Sequence, residues 1–236
     1  MSPVTPHAAP ASPTAGWWHR VWQCLRFQTP LKAVGTTAFM FLFFRAYFDL
    51  LESPRTQPFV MPEIWLDHWV HFTPSAFPVY LSLWVYVSLA PALLGNLRAL
   101  IWFGVWVGAL CLTGLGIFWA WPTQTPTFNV DWSLYPGLAL IKGVDAAGNA
   151  FPSLHVASAV FSACWLHRSL RQLRSPAWVR WASALHCVAI AWSTMATLQH
   201  VALDVLGGAV LGLVFAAASM THIRDTTPTA LSPARP

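Results

Sequence analysis

The stretch QHVALDVLGGAVLGLVFAAAS, residues 199–219, combines two features that are seldom found together. After Asp204 it is almost wholly apolar, as a membrane-spanning helix is, yet His200 stands four residues before that carboxylate. Residues at positions i and i+4 share a helix face, and an ionisable group within a span is unfavourable unless it has a partner. The stretch therefore predicts a transmembrane helix that begins with a paired histidine and aspartate. Three glycines in it are expected to let a neighbouring helix approach closely: Gly207, Gly208 and Gly212.

The composition of the whole chain places that helix in a membrane protein. Of the 236 residues 56% are hydrophobic and only 9% are charged, whereas soluble domains carry roughly 25% charged residues. A span needs roughly 20 mainly apolar residues. The candidate segments, the fourth of them short, are residues 32–51, 76–96, 99–121, 153–167, 176–197 and 200–222. We therefore predict an all-α fold, an integral membrane bundle of six transmembrane helices.

Composition also divides the chain into four parts. Residues 1–16 and 224–236 are rich in Pro, Ser, Thr and Ala, and we expect both to be disordered tails because they bury too little apolar surface to order themselves. Residues 17–30 mix aromatic side chains with arginines, which predicts an amphipathic segment in the membrane interface. The six-helix catalytic domain is then expected to occupy residues 31–223.

The basic residues give the predicted bundle an orientation. With six spans both termini lie on one side, and that side collects ten of the thirteen lysines and arginines. The positive-inside rule makes it the cytoplasmic side. His200 and Asp204, together with His155 at the start of the fourth span, then face the periplasm, the cell exterior or a lumen. On that face the long segment 53–77 either covers the entrance to a site or lies in the interface.

Two histidines and an aspartate at one membrane face form a candidate catalytic group. An aspartate that accepts the Nδ1 proton of His200 leaves Nε2 free and more nucleophilic. Ser153 is the expected N-cap of the fourth helix, which places His155 in the first turn beside exposed backbone N–H groups. Helix starts of this kind favour anions. One histidine as nucleophile and the other as acid suit phosphoryl transfer.

These residues resemble two signatures of the type 2 phosphatidic acid phosphatase superfamily, whose members are six-helix membrane enzymes. STMATLQHVALD, residues 193–204, is similar to the family's SRx5Hx3D, and FPSLH, residues 151–155, is similar to its PSGH. The resemblance implies that His200 attacks phosphorus to form a phosphohistidine, that Asp204 orients His200, and that His155 protonates the leaving group. Water or a second alcohol then resolves the intermediate, and no metal or cofactor is expected.

The basic residues of the family pattern are missing from this chain. The first signature, Kx6RP, would fall at FWAWPTQTPTF, residues 118–128, which contains no basic residue. Thr194 replaces the arginine of the third signature, and Leu154 replaces the glycine of PSGH. The nearest substitute cation on the same side is Lys142, which is either a phosphate ligand or a solvated loop lysine. The residues that we expect to bind phosphate are Ser153, Lys142, Thr194 and Gln199.

The missing cations bear on the reaction. The versions FPSLH and STxxTxQHxxxD resemble the branch that contains inositol phosphorylceramide synthases and sphingomyelin synthases, whose phosphodiester lipids carry a single negative charge. We therefore expect transfer or cleavage of a phosphodiester-lipid head group. The alternatives are hydrolysis of a lipid phosphate monoester or isoprenyl pyrophosphate and, in another class, a haem- or metal-binding redox protein with histidine ligands. The expected partners are a lipid donor, a lipid or water acceptor and the membrane, and not nucleic acid.

Overall fold

The computed structural model describes residues 16–145, 148–221 and 226–227. Its helices are α1 (Trp17–Arg26), α2 (Thr29–Glu52), α3 (Phe77–Leu81), α4 (Leu83–Ala92), α5 (Leu97–Ala120), α6 (Pro136–Asp145), α7 (Leu154–Gln172), α8 (Ala177–Ala196) and α9 (Ala202–Met220). Two short strands, β1 (Phe59–Val60) and β2 (Thr123–Gln124), pair in parallel. The prediction of an all-α fold is confirmed apart from this two-residue pairing.

Four helical segments have the length and apolar composition of membrane spans. They are Thr29–Glu52, Pro74–Ala92, Leu97–Ala120 and Ala202–Met220, and they coincide with the first, second, third and sixth predicted spans. The fourth and fifth predicted segments form α7 and α8, which are long but less apolar. Helix α7 packs against α4, α5, α8 and α9, so protein and not lipid surrounds much of its surface. The count of six spans stays a prediction.

Helices α7 and α9 form the tightest contact in the bundle. A Cβ atom on Gly208 would meet the backbone carbonyl oxygen of Ser153, and one on Gly212 would lie 2.5 Å from the carbonyl oxygen of Ala157. The N–H of Ser153 also donates to the carbonyl oxygen of Asp204 at 3.0 Å. The close helix approach is therefore confirmed for two of the three predicted glycines, and it fixes the start of α7 against the start of α9.

The terminal segments lie largely outside the described residues. Residues 1–15, 222–225 and 228–236 are not described, so the two tails stay predictions. Thr226, inside the predicted C-terminal tail, is buried, and its N–H donates to Gln172 Oε1 at 2.7 Å. The predicted interfacial segment contains α1, and α2 begins directly after a break at Gln28. The chain therefore enters the bundle through two consecutive helices.

Candidate active site

The candidate site begins at the turn between α8 and α9. Leu198 adopts a positive φ of 57°, and the N–H groups of Gln199 and His200 both donate to the carbonyl oxygen of Thr194, at 2.9 and 3.1 Å. This turn reverses the chain and directs His200 toward α7. The sequence predicts that His200 and Asp204 share a helix face, but His200 precedes α9, which begins at Ala202.

Asp204 reaches His200 because it caps the start of α9. Its Oδ2 atom accepts the N–H of Val201 at 3.1 Å and lies 3.4 Å from His200 Nδ1. The two side chains are 5% and 0% exposed, so the pair is shielded from water. In the part of the chain that the structure describes, His200 Nδ1 has no hydrogen-bond partner, which leaves this carboxylate as the nearest acceptor for its proton.

His155 meets His200 from the first turn of α7. Ser153 is the N-cap of that helix, as predicted, and its Oγ accepts the N–H of Val156 at 3.3 Å. His155 Nδ1 then lies 3.2 Å from His200 Nε2, and the two rings meet edge to face with their centroids 5.4 Å apart. The structure therefore brings His155, His200 and Asp204 together at one end of the α7–α9 pair.

Tyr80 joins this group from α3, and sequence reasoning missed it. Its hydroxyl lies 3.2 Å from His155 Nε2, and the tyrosine is only 3% exposed. Trp84, one turn further on, packs edge to face against the His155 ring at a centroid distance of 6.0 Å. A tyrosine near the end of a span is typical of the membrane interface, so its position in the sequence gives no signal of this contact.

The side chains of Asp204, His200, His155 and Tyr80 form a continuous row. The chemistry of each group limits where its protons lie. An ionised Asp204 only accepts, so a neutral His200 places its proton on Nδ1 and presents an accepting Nε2. His155 must then donate from Nδ1, and at Nε2 it either accepts the proton of the Tyr80 hydroxyl when it is neutral or donates to that oxygen when it is protonated. In this state the Nε2 lone pair of His200 is occupied by His155. The site is therefore closed in this structure, because the two histidine rings are bonded to each other.

The other predicted phosphate ligands lie near this row. Lys142 is half-buried on α6 and not in a loop, and its Nζ donates to the carbonyl oxygen of Leu198, in the turn that carries His200. The Thr194 hydroxyl donates to Ala191 O at 2.8 Å, and Gln199 Nε2 donates to Thr197 O at 3.3 Å. Both of these polar side chains are therefore engaged within their own segment, and the roles of all three in binding phosphate stay predictions.

The long segment 53–77 is fastened across the start of α9. Asp67 Oδ1 accepts the N–H of Ala202 at 2.7 Å, and its Oδ2 accepts the N–H of Ile64 at the same distance. Met61 packs against Val201 in a small apolar cluster. The segment therefore contacts the start of α9, and both arrangements that the sequence leaves open for it stay predictions.

The described part of the chain contains no cluster of metal-ligating side chains. Among residues 16–145, 148–221 and 226–227, no group of three or more His, Cys, Asp and Glu side chains is placed to hold a metal. His155 and His200 direct nitrogen atoms at each other and not at a common point. This geometry gives no support to the redox alternative, in which those histidines are ligands.

Comparison with known proteins finds one family. A family model described as the PAP2 superfamily matches residues 48–218, a range that makes up more than half of the chain and includes His155, His200 and Asp204. No curated protein and no solved structure matches the chain. The first part of α2, before residue 48, lies outside the family match.

Proposed function

The chain belongs to the PAP2 superfamily, and we propose that it cleaves or transfers a phosphate-containing lipid head group through a phosphohistidine. Superfamily membership supports an enzyme of the lipid phosphatase type. The observation that carries the proposal is the 3.2 Å contact between His155 Nδ1 and His200 Nε2, which unites residues 45 positions apart. The proposed donor is a phosphodiester lipid, and the acceptor is a lipid alcohol or water.

In the first step His200 Nε2 attacks phosphorus. The N–P bond forms while the bond from phosphorus to the leaving oxygen breaks, and the positive charge that develops on the imidazole is stabilised by Asp204 through Nδ1–H. Protonated His155 gives its proton to the leaving oxygen. In the second step neutral His155 takes a proton from the acceptor hydroxyl, whose oxygen attacks phosphorus as the P–N bond breaks.

The closed site must open before this chemistry. Attack requires the nitrogen about 3–3.5 Å from phosphorus, and proton transfer requires the acid about 3 Å from the leaving oxygen. A separation of 3.2 Å between the two histidine nitrogens leaves no room for a phosphoryl group between them. We therefore expect the substrate phosphate to displace the His155 ring from His200. The Tyr80 hydroxyl, which can accept as well as donate, can then hold protonated His155 through Nε2–H.

The scarcity of cations among the described residues of the site favours a phosphodiester. Among the described residues Lys142 is the cation bonded to the turn that carries His200, and the family's three other basic positions are not basic here. A single negative charge needs less neutralisation than the dianion of a monoester. The proposed site faces the extracytoplasmic side, because α7 begins beside His155 and ends among Arg168 and Arg171, which belong to the basic side of the positive-inside rule.

Turnover of a lipid panel by the purified protein tests the proposal. The panel contains phosphodiester lipids, phosphatidate and isoprenyl pyrophosphate, each with and without ceramide or diacylglycerol. A new head-grouped lipid supports transfer, release of a phosphorylated head group supports phosphodiester cleavage, and release of inorganic phosphate from the monoester or pyrophosphate supports the alternative hydrolysis. If no member of the panel is turned over, the proposed function is wrong.

The phosphohistidine is tested with His200→Ala. We expect this variant to lose activity by on the order of 10³-fold or more, because the nucleophile is removed, and to yield no phosphorylated protein after a rapid quench. His167→Ala is the matched control, since His167 is exposed at the opposite end of α7, and it should retain activity. A His200→Ala variant that turns over substrate at the wild-type rate would contradict the phosphohistidine.

A further inference from the structure

A cavity of about 360 Å³ runs between α2, α4, α5 and α7, and it opens at the candidate site. Tyr80, His155 and His200 line one end of it, and Lys32 lies at the other. Along α2 the lining extends from Leu31 to Phe48, a distance of about 26 Å at 1.5 Å per residue. The hydrocarbon core of a bilayer is about 30 Å thick, so the cavity extends through much of that depth.

The walls of the cavity are apolar and loosely packed. Aromatic side chains of α2 line it, with Phe39 and Phe43 in its middle. Gly35 on α2 and Gly104 on α5 also line it; both are exposed, and a Cβ atom at either would find no atom within 4 Å. The lining is therefore mainly apolar and leaves unfilled space beside both glycines, which suits a hydrocarbon.

A fixed cation lies at the far end of the cavity. Lys32 Nζ donates to the carbonyl oxygens of Cys24 and Ala92, at 2.7 and 2.8 Å. The two bonds tie α2 to the last turns of α1 and α4, and they hold the side chain at 8% exposure. An immobilised lysine gives the cavity an end at a defined distance from His155.

We infer that this cavity binds one hydrocarbon chain of the lipid substrate, with the phosphate beside His155 and His200 and the chain directed toward Lys32. The inference rests on the proposed function and adds a property of the substrate, namely a limit on its chain. A substrate chain is the expected occupant, because the cavity that reaches Lys32 at one end has His155 and His200 at the other. The α2 wall before residue 48 lies outside the family match, so the superfamily alone does not specify this limit.

Filling the deep half of the cavity tests the inference. Gly104→Leu adds a side chain into the open space of the lining, and Gly108→Leu is the matched control. Gly108 lies one turn further along α5, also has open space around it, and does not line the cavity. Rates are measured on two phosphodiester lipids with the same head group, one with octadecanoyl and one with hexanoyl chains.

We expect Gly104→Leu to lower the ratio of long-chain to short-chain rates roughly tenfold or more, since a single methylene in an apolar pocket changes a rate by this order. Gly108→Leu should leave the ratio unchanged. A Gly104→Leu variant with the wild-type ratio, or a Gly108→Leu variant with the same loss, would overturn the inference.

Photolabelling tests the cavity site independently of the proposed reaction. A phosphodiester lipid with a diazirine at the end of its chain should label peptides of α2 and α5 near Lys32 and Gly104 more strongly than the exposed surface of α8. Gly104→Leu should reduce that labelling. Preferential labelling without turnover would retain the cavity site and refute the reaction, whereas labelling of α8 to an equal extent would refute the cavity site.

Discussion

The α7–α9 pair and helix α2 are packed in opposite ways. Between α7 and α9 there is no space for a Cβ atom on Gly208 or Gly212. Helix α2 has only 6% of its most apolar 18-residue window buried, against 28% in each of the other three candidate spans. The side chains proposed for catalysis, His155, His200 and Asp204, lie at the start of the tightly packed α7–α9 pair. The wall proposed to contact the hydrocarbon chain of the substrate belongs to the loosely packed helix α2.

This difference has a physical cause in the composition of the two regions. In a membrane, burial of apolar surface gives helices little reason to associate, so small residues that allow backbone contact decide which helices pack closely. Helix α9 supplies glycines at the contact with α7. The inner face of α2 carries large aromatic side chains such as Phe39 and Phe43, which hold the backbones apart. Glycines therefore hold α7 and α9 in fixed positions, whereas aromatic side chains on α2 leave space in the cavity.

Among the substitutions that test this difference in packing, the largest effect is expected from opening the tight pair. Gly208→Ala should destabilise the protein by about 1–3 kcal/mol, as overpacking does, because the new Cβ meets the backbone of Ser153. Since Ser153 also fixes the start of α7 against Asp204, activity should fall roughly 10²-fold, as a misplacement of about 1 Å can cause. The measurements are thermal melting by tryptophan fluorescence and turnover of the lipid substrate.

The matched control for that variant is Gly108→Ala on α5. Gly108 has open space around it, and alanine is favoured over glycine in a helix by about 0.8–1 kcal/mol. We therefore expect its melting temperature to stay the same or rise. Equal melting temperatures for Gly208→Ala and Gly108→Ala would show that the tight contact does not contribute to stability.

The tight side of the molecule is also the side that the sequence predicts well. His155, His200 and Asp204 stand at helix starts, where capping residues and local spacing are visible in the sequence. Hydropathy identified the segments of α7 and α8 but not their environment, because α7 is surrounded largely by protein. The prediction that His200 and Asp204 share a helix face was wrong in its geometry, since the pairing arises from the capping of α9 by Asp204.

The features of the site that the sequence does not predict depend on contacts between residues that are far apart in the chain. Tyr80 reaches His155 across 75 residues, and Asp67 reaches Ala202 across 135. No periodicity or motif links such positions, and each has an ordinary local explanation as an interfacial tyrosine or a loop aspartate. The cavity is likewise a property of how α2 packs, which its uniformly apolar sequence leaves open.

A smaller effect is expected from releasing the segment that contacts the start of α9. Asp67→Ala removes an acceptor for the first N–H of that helix, and the loss of such a cap costs about 0.5–2 kcal/mol. We expect faster hydrogen exchange at residues 201–204 and a several-fold lower turnover, because the His200 turn is less restrained. Asp131→Ala is the control, since this exposed aspartate bonds only to Ser133 among its described contacts. Exchange at residues 201–204 that is equal in the two variants would contradict the role of Asp67.

The substitution expected to disturb the structure least lies at Tyr80, where the tight side meets the cavity. Tyr80→Phe keeps the ring against His155 and removes the hydroxyl that positions it. If the hydroxyl acts through His155, cleavage of an alkyl ester should slow by roughly tenfold, which is less than the about 10²–10⁴-fold that general acid catalysis contributes as a whole. An aryl ester leaves without a proton, so its cleavage should be nearly unchanged, and KM should be similar for both. Tyr86→Phe is the control, because its hydroxyl bonds to Ser183 and not to the site. Equal slowing of both esters would mean that Tyr80 supports the structure of the site and not the proton transfer. His155 would then be the last residue on the cavity side that takes part in the proposed chemistry.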